Sequence, residues 1–184
     1  MTPDTRGRVS SCGIGSGFHP HYKRRVRSVP MDSDSSSSCP FCEQPEHMRE
    51  TPLPRVVFED QDFLVKHVKQ REAPEGSAYL GWMRITLKRH VESWSELSQE
   101  ESRSLGDIAR RVVRALETLE GVVKVYTFVL GDQVPHFHIH VFPRYRGAPR
   151  EFWGTRVDEW PDAPRGDDRE IAEVCRQVSL HLNG

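Results

Sequence analysis

The sequence predicts an α+β domain in which five strands build an antiparallel sheet backed by one long amphipathic helix and a C-terminal helix. Three observations predict it: short β-prone runs between 56 and 87, a helical apolar stripe from 105 to 119, and two further β-rich runs between 122 and 142.

Val56, Val57 and Phe58, then Phe63, Leu64 and Val65, are separated by Glu59-Asp60-Gln61-Asp62, the pattern of a hairpin. After a loop marked by Pro74 and Gly76, Ala78 to Leu87 alternates in part and reads as a third strand. Ser98-Gln99-Glu100-Glu101 has capping-box form and is followed by Leu105, Ile108, Ala109, Val112, Val113, Leu116 and Leu119 at helical spacing, so a long helix ends near Gly121. Val122 to Leu130 stops at Gly131-Asp132 and resumes as His136 to Phe142, giving two further antiparallel strands. Arg144 to Gly166 is rich in Pro, Gly and Arg yet carries Trp153 and Trp160, so it reads as a long, partly pinned loop. Asp167 with Glu170 starts a last helix, with Ile171, Val174, Cys175, Val178 and Leu182 as its apolar stripe.

Domain organisation follows from composition. Residues 1–38 hold Gly, Ser, Pro and the basic run Lys23-Arg24-Arg25-Val26-Arg27, with too few apolar residues to offset the entropy of ordering, so a disordered arm is expected. It reads as an unstructured extension, or an upstream start with Met31 as the true beginning, before it reads as an Arg-rich targeting segment. Residues 39–146 form the domain that bears the site, and 147–184 a C-terminal loop and helix packed on it. The 184 residues carry 27 acidic against 26 basic groups, so no global field points to nucleic acid or an anionic membrane. No apolar run is long enough to span a bilayer, and four unevenly spaced cysteines fit a reducing compartment, so a soluble cytoplasmic protein is expected.

His136-Phe137-His138-Ile139-His140 alternates imidazole with apolar side chains, and a strand sends successive side chains to opposite faces. Three histidines are therefore expected to line one face. Neutral imidazole is a nucleophile at pH 7, and attack on phosphorus gives a labile phosphoramidate. The bland reading is a polar strand face with solvated rings, which three histidines at alternate positions disfavour.

Cys39-Pro40-Phe41-Cys42 places two thiolates at zinc-binding spacing. Alone, the pair also fits a redox couple or two ordinary thiols. His90 and His136 are the strongest candidates to close a Cys2His2 tetrahedron, which would be structural because no coordination position stays open. Cys12 and Cys175 look incidental, the latter a small hydrophobe.

His136-φ-His138-φ-His140-φ-φ followed by Pro143-Arg144 resembles the signature of the histidine-triad (HIT) superfamily. Cys39-x-x-Cys42, Phe58-Glu59-Asp60 and Lys88-Arg89-His90 stand in that family's order, so the resemblance spans residues 39 to 144. It implies a HIT-like fold and a homodimer that continues the sheet across a two-fold axis. It also implies attack by His138 on the α-phosphorus of a nucleotide, a covalent nucleotidyl-histidine, and His140 bonded to phosphate and leaving group. Dinucleoside polyphosphates, nucleoside phosphoramidates and similar nucleotides are the substrates so implied. In zinc-containing branches, Cys39, Cys42, His90 and His136 match the ligands of a structural zinc ion. Gln133, His67 and Trp82 are the candidate substrate-binding residues.

The chain departs from the family at three points. Trp82 stands where many relatives have a histidine, and can stack on a base but not transfer a proton; Val68 stands at the ribose-binding position; and Asp132 would repel the phosphate that Gln133 could reach. These changes suggest a second reading, a nucleotide-binding regulatory module with little turnover. A third, a zinc-dependent nucleic-acid binder built on the basic arm, is opposed by the near-neutral charge.

Overall fold

The computed structural model describes residues 39–43, 55–68 and 76–183; the arm 1–38, with Cys12 and Met31, and Pro74 lie outside them. Five strands, β1 (Val56–Glu59), β2 (Phe63–His67), β4 (Met83–Leu87), β5 (Val122–Val129) and β6 (His138–Tyr145), form one antiparallel sheet in the order β1-β2-β4-β6-β5. The long helix α2 (Gln99–Glu117) and the C-terminal helix α3 (Asp168–Leu182) bury their apolar stripes against one face. Both start as the sequence indicates: Ser98 and Glu101, and Asp167 and Glu170, close reciprocal capping boxes that satisfy backbone N–H groups of the first turn. A single turn, α1 (Pro40–Glu43), carries the second cysteine of the Cys39–Cys42 pair.

Strand alternation divides the sheet. Phe63 and Val65 on β2, Met83, Ile85 and Leu87 on β4, and Ile139 and Val141 on β6 join Leu105, Ile108, Val112 and Leu116 of α2 and Ile171, Val178 and Leu182 of α3 in the main core. The alternate residues, among them Lys66, Arg84, Thr86, His138 and His140, project from the other face.

Three expectations need correction. The strand expected over Ala78 to Leu87 is broken, because Gly81 turns the chain at a φ of +81° with Pro143 and Leu116 so close that a Cβ would meet them at 3.1–3.2 Å. Its first part, β3 (Ala78–Tyr79), pairs instead with β7 (Arg165–Gly166) in a separate two-stranded ribbon. The loop expected over 144–166 accordingly contains that strand and two short 3-10 turns. Trp160 there packs on a second cluster of Tyr79, Trp82, Phe142, Tyr145, Val157 and Ala163, whereas Trp153 is half-exposed under the Arg144 guanidinium, 3.8 Å from its ring centre. Finally, the histidine strand begins at His138 and not at His136, because Phe137 turns its N–H to the Val91 carbonyl (2.6 Å) and its carbonyl to the Leu87 N–H (3.3 Å).

Candidate active site and metal centre

His138 and His140 share the open face of β6, with ring centres 5.0 Å apart. Cross-strand pairing sets Thr86 beside His138 and Arg84 beside His140. Nδ1–H of His138 donates to the His136 carbonyl at 2.6 Å, which leaves the Nε2 lone pair available. Burial, opposed by that carbonyl and aided by Arg84 and His136, lowers its pKa, so the ring is neutral at pH 7. His140 is fixed the other way round. The Trp82 indole N–H, which can only donate, meets Nδ1 of His140 at 2.9 Å, so the proton of the neutral ring sits on Nε2. Burial, then His138 and Arg84, push His140 down to about 4.

Both rings open into a cavity of about 370 Å³, closed by Phe41, Arg84 and the β5–β6 connection with Asp132 and Gln133. Phe41 meets His138 edge-on (5.3 Å) and lies under the Arg84 guanidinium, 4.2 Å from its ring centre. Arg84 is the residue that sequence reading missed. Its only signal is a charge in the middle of an otherwise apolar run, Met83-Arg84-Ile85.

Phe41 meets the His136 ring as it meets His138, edge-on at 5.4 Å, but His136 does not line the cavity with its two companions. Its Nε2–H donates to the Leu87 carbonyl (2.6 Å), which turns Nδ1 toward Sγ of Cys39 at 3.3 Å and of Cys42 at 3.5 Å; Nδ1 of His90 lies 3.4 Å from Sγ of Cys42. All four donor atoms fall within 4.8 Å of one another. Zinc bonds of about 2.3 Å to sulfur and 2.0–2.1 Å to nitrogen at tetrahedral angles put neighbouring S and N about 3.6 Å apart, so these separations fit a structural zinc ion. The Leu87 carbonyl fixes the tautomer, as a partner behind a metal ligand commonly does. His90 is held through its neighbour: Arg89 makes two bonds to Glu101 (2.8 and 3.0 Å), the carboxylate that also caps α2, and those bonds keep Glu101 down at about 2.

Two candidate substrate-binding residues are not brought to the cavity. His67 is fully buried on the helix-facing side, its Nε2 accepting the Gly81 N–H at 3.1 Å, because it shares strand parity with Phe63 and Val65. Trp82 is also buried, stacked on Phe142 with ring centres 4.0 Å apart, and reaches the site only through its bond to His140. A base has no open indole face to stack on here. Val68 packs at the edge of the second cluster. Gln133 does line the cavity, together with Asp132.

The HIT domain family model matches residues 55–147, half of the chain. The chain belongs to the HIT domain family. No curated protein matches it significantly. Among solved structures, this HIT protein is similar to a zinc-bound histidine triad family protein from Mycobacterium smegmatis (20% identity over 79% of this chain and 94% of that one, TM-score 0.54). It is also similar to a histidine triad protein from Marinobacter aquaeolei VT8 (21%, 70% and 88%, 0.52). A hypothetical histidine triad nucleotide-binding protein from Sulfolobus tokodaii strain 7 is another relative in fold (18%, 79% and 92%, 0.50). At such identities the likeness establishes the shared HIT fold. No helix among the described residues is long and apolar enough to cross a membrane.

Proposed function

We propose that this HIT protein transfers or hydrolyses at the α-phosphorus of a nucleotide, with His138 as nucleophile. The observation that carries the reading is the tautomer of His138: its Nδ1 proton is committed to the His136 carbonyl, so the lone pair of Nε2 is the reactive one, in a ring that lines the cavity. Nε2 forms a bond to phosphorus as the bond from phosphorus to the leaving oxygen or nitrogen breaks. His140, whose Nε2 carries the proton because Trp82 donates to its Nδ1, donates a hydrogen bond to the leaving group or to a non-bridging oxygen and keeps its proton. Water or another acceptor then attacks phosphorus, breaks the P–N bond and frees His138. A dinucleoside polyphosphate or a nucleoside phosphoramidate fits this chemistry.

Cys39, Cys42, His90 and His136 would hold the zinc ion. With four protein ligands the ion supplies folding free energy and no activated water. Its contribution here is to brace the turn carrying Phe41 and the backbone carbonyl of His136 that orients His138. A homodimer through an exposed sheet edge such as β5, where Val123 and Val129 face solvent, completes the reading.

Incubation with a nucleotide panel and mass measurement of the acid-quenched protein tests the mechanism. A nucleotidyl adduct that disappears in His138→Ala is the expected result; an adduct or turnover that survives the substitution refutes it. Low turnover with ligand-dependent melting shifts would instead favour the regulatory module, the reading prompted by Trp82, Val68 and Asp132.

A further inference from the structure

One rung of the sheet collects charge. The pairings Lys66 with Arg84, Arg84 with His140, and His140 with Phe128 place these four residues in line across β2, β4, β6 and β5. Residues directly opposite one another in adjacent strands point to the same face, so Lys66 and Arg84 lie on the open face with His140, at steps of about 5 Å. Moving along the rung from His140 toward β2, a substrate group meets one fixed cation and then a second.

Holding two cations side by side, both partly buried, is unfavourable. Burial and the adjacent Arg84 lower the Lys66 ammonium to about 8, and burial brings Arg84 down to about 10. On the far side of the cavity the β5–β6 connection contributes Asp132, a negative charge. The site is thus polarised, with its positive side toward β2. Arg84 stacks on Phe41 through the flat face of its guanidinium, and a guanidinium recognises phosphate through its edge.

We propose that Arg84 and Lys66 form a subsite for a second phosphate of the substrate, beside the phosphate that reacts at His138. The ligand class is a nucleotide or dinucleotide carrying at least two phosphates. The subsite rests on the nucleotide reading above only for the position of the reacting phosphate. The remaining phosphates run from His140 along the rung toward β2, away from Asp132. In this arrangement Arg84 offers a two-pronged contact and Lys66 a point charge.

Calorimetric titration of the full-length, zinc-loaded protein with phosphate, pyrophosphate, AMP and ADP tests the subsite directly. Pyrophosphate is expected to bind at least about 10-fold more tightly than phosphate, and ADP than AMP. Arg84→Leu and Lys66→Met should each remove most of that gain, read as the ratio of ADP to AMP affinity within each variant; Arg84→Lys should keep part of it. Unchanged zinc content and circular dichroism identify variants that fold. Equal affinities for AMP and ADP in the parent protein, or a gain that persists in folded Arg84→Leu, would overturn the proposal. Adenosine 3′,5′-bisphosphate separates two origins of the second phosphate: a gain with ADP alone assigns it to the anhydride chain, and a gain with the bisphosphate assigns it to the nucleoside side. If pyrophosphate binds in an Arg84-dependent way but no nucleotide yields an adduct on His138, the subsite stands and the catalytic reading falls.

Discussion

On β4, Met83, Ile85 and Leu87 face the helices while Arg84 and Thr86 face away; on β6, Ile139 and Val141 face the helices while His138 and His140 face away. The same two strands therefore supply a dry apolar face and a charged, hydrogen-bonding one, separated by one residue of chain. Burial and charge are divided here by parity along the strand. A substitution on one face should be felt mainly in folding, and a substitution one position away mainly in binding or turnover.

The sharpest way to sharpen that division is His138→Ala, expected to lower kcat about 1,000-fold or more while the melting temperature moves by less than about 2 °C. A large loss of melting temperature would mean that the open face also carries the fold. Ile139→Ala, its immediate neighbour, is expected to do the reverse. Removing a side chain only 1% exposed should cost about 2–5 kcal/mol in urea unfolding and leave nucleotide affinity within about twofold where the protein is folded.

His67 is the place where the division can break, since it puts an ionisable ring on the dry face. Burial first, and then Arg55, push it down to about 4, against about 6.5 in the unfolded chain. Below pH 6.5 the unfolded chain takes up a proton that the folded chain refuses. Stability is therefore complete above pH 6.5 and declines as pH falls toward 4, by about 3 kcal/mol in all. Urea unfolding at pH 7 and pH 4.5 should show a smaller acid loss in His67→Gln than in the parent; parallel losses would clear His67 of the effect. The smallest expected change is for Trp82→Phe, which keeps the stack on Phe142 and deletes the donor to His140. A fall in kcat of about 10-fold with KM within about twofold is expected, and an altered pH profile would distinguish loss of tautomer control from simple loosening.

Much of this was legible in the sequence because it depends on local pattern. Both capping boxes, the apolar stripes of the two helices and the alternation of His138 and His140 require no knowledge of distant partners. The four residues at the metal centre were legible through thiol spacing and family resemblance together. What escaped depends on register or parity across the fold. The pairing of Ala78 and Tyr79 with Arg165 and Gly166 joins residues 86 or more positions apart, and the rung from Lys66 through Arg84 to His140 exists only once three strands are aligned. His67 was misjudged for the same reason: Phe63, Val65 and His67 must share a side, and the first two belong to the core.

The four donors of the metal centre come from three distant stretches of chain, with Cys42 and His90 48 positions apart and Cys39 and His136 97 apart. A link across such gaps acts on the unfolded polypeptide too, by removing conformations in which those stretches drift away from each other. Chelation of a bound ion would therefore release three stretches of chain at once, and the loss should be felt well beyond the four donors themselves.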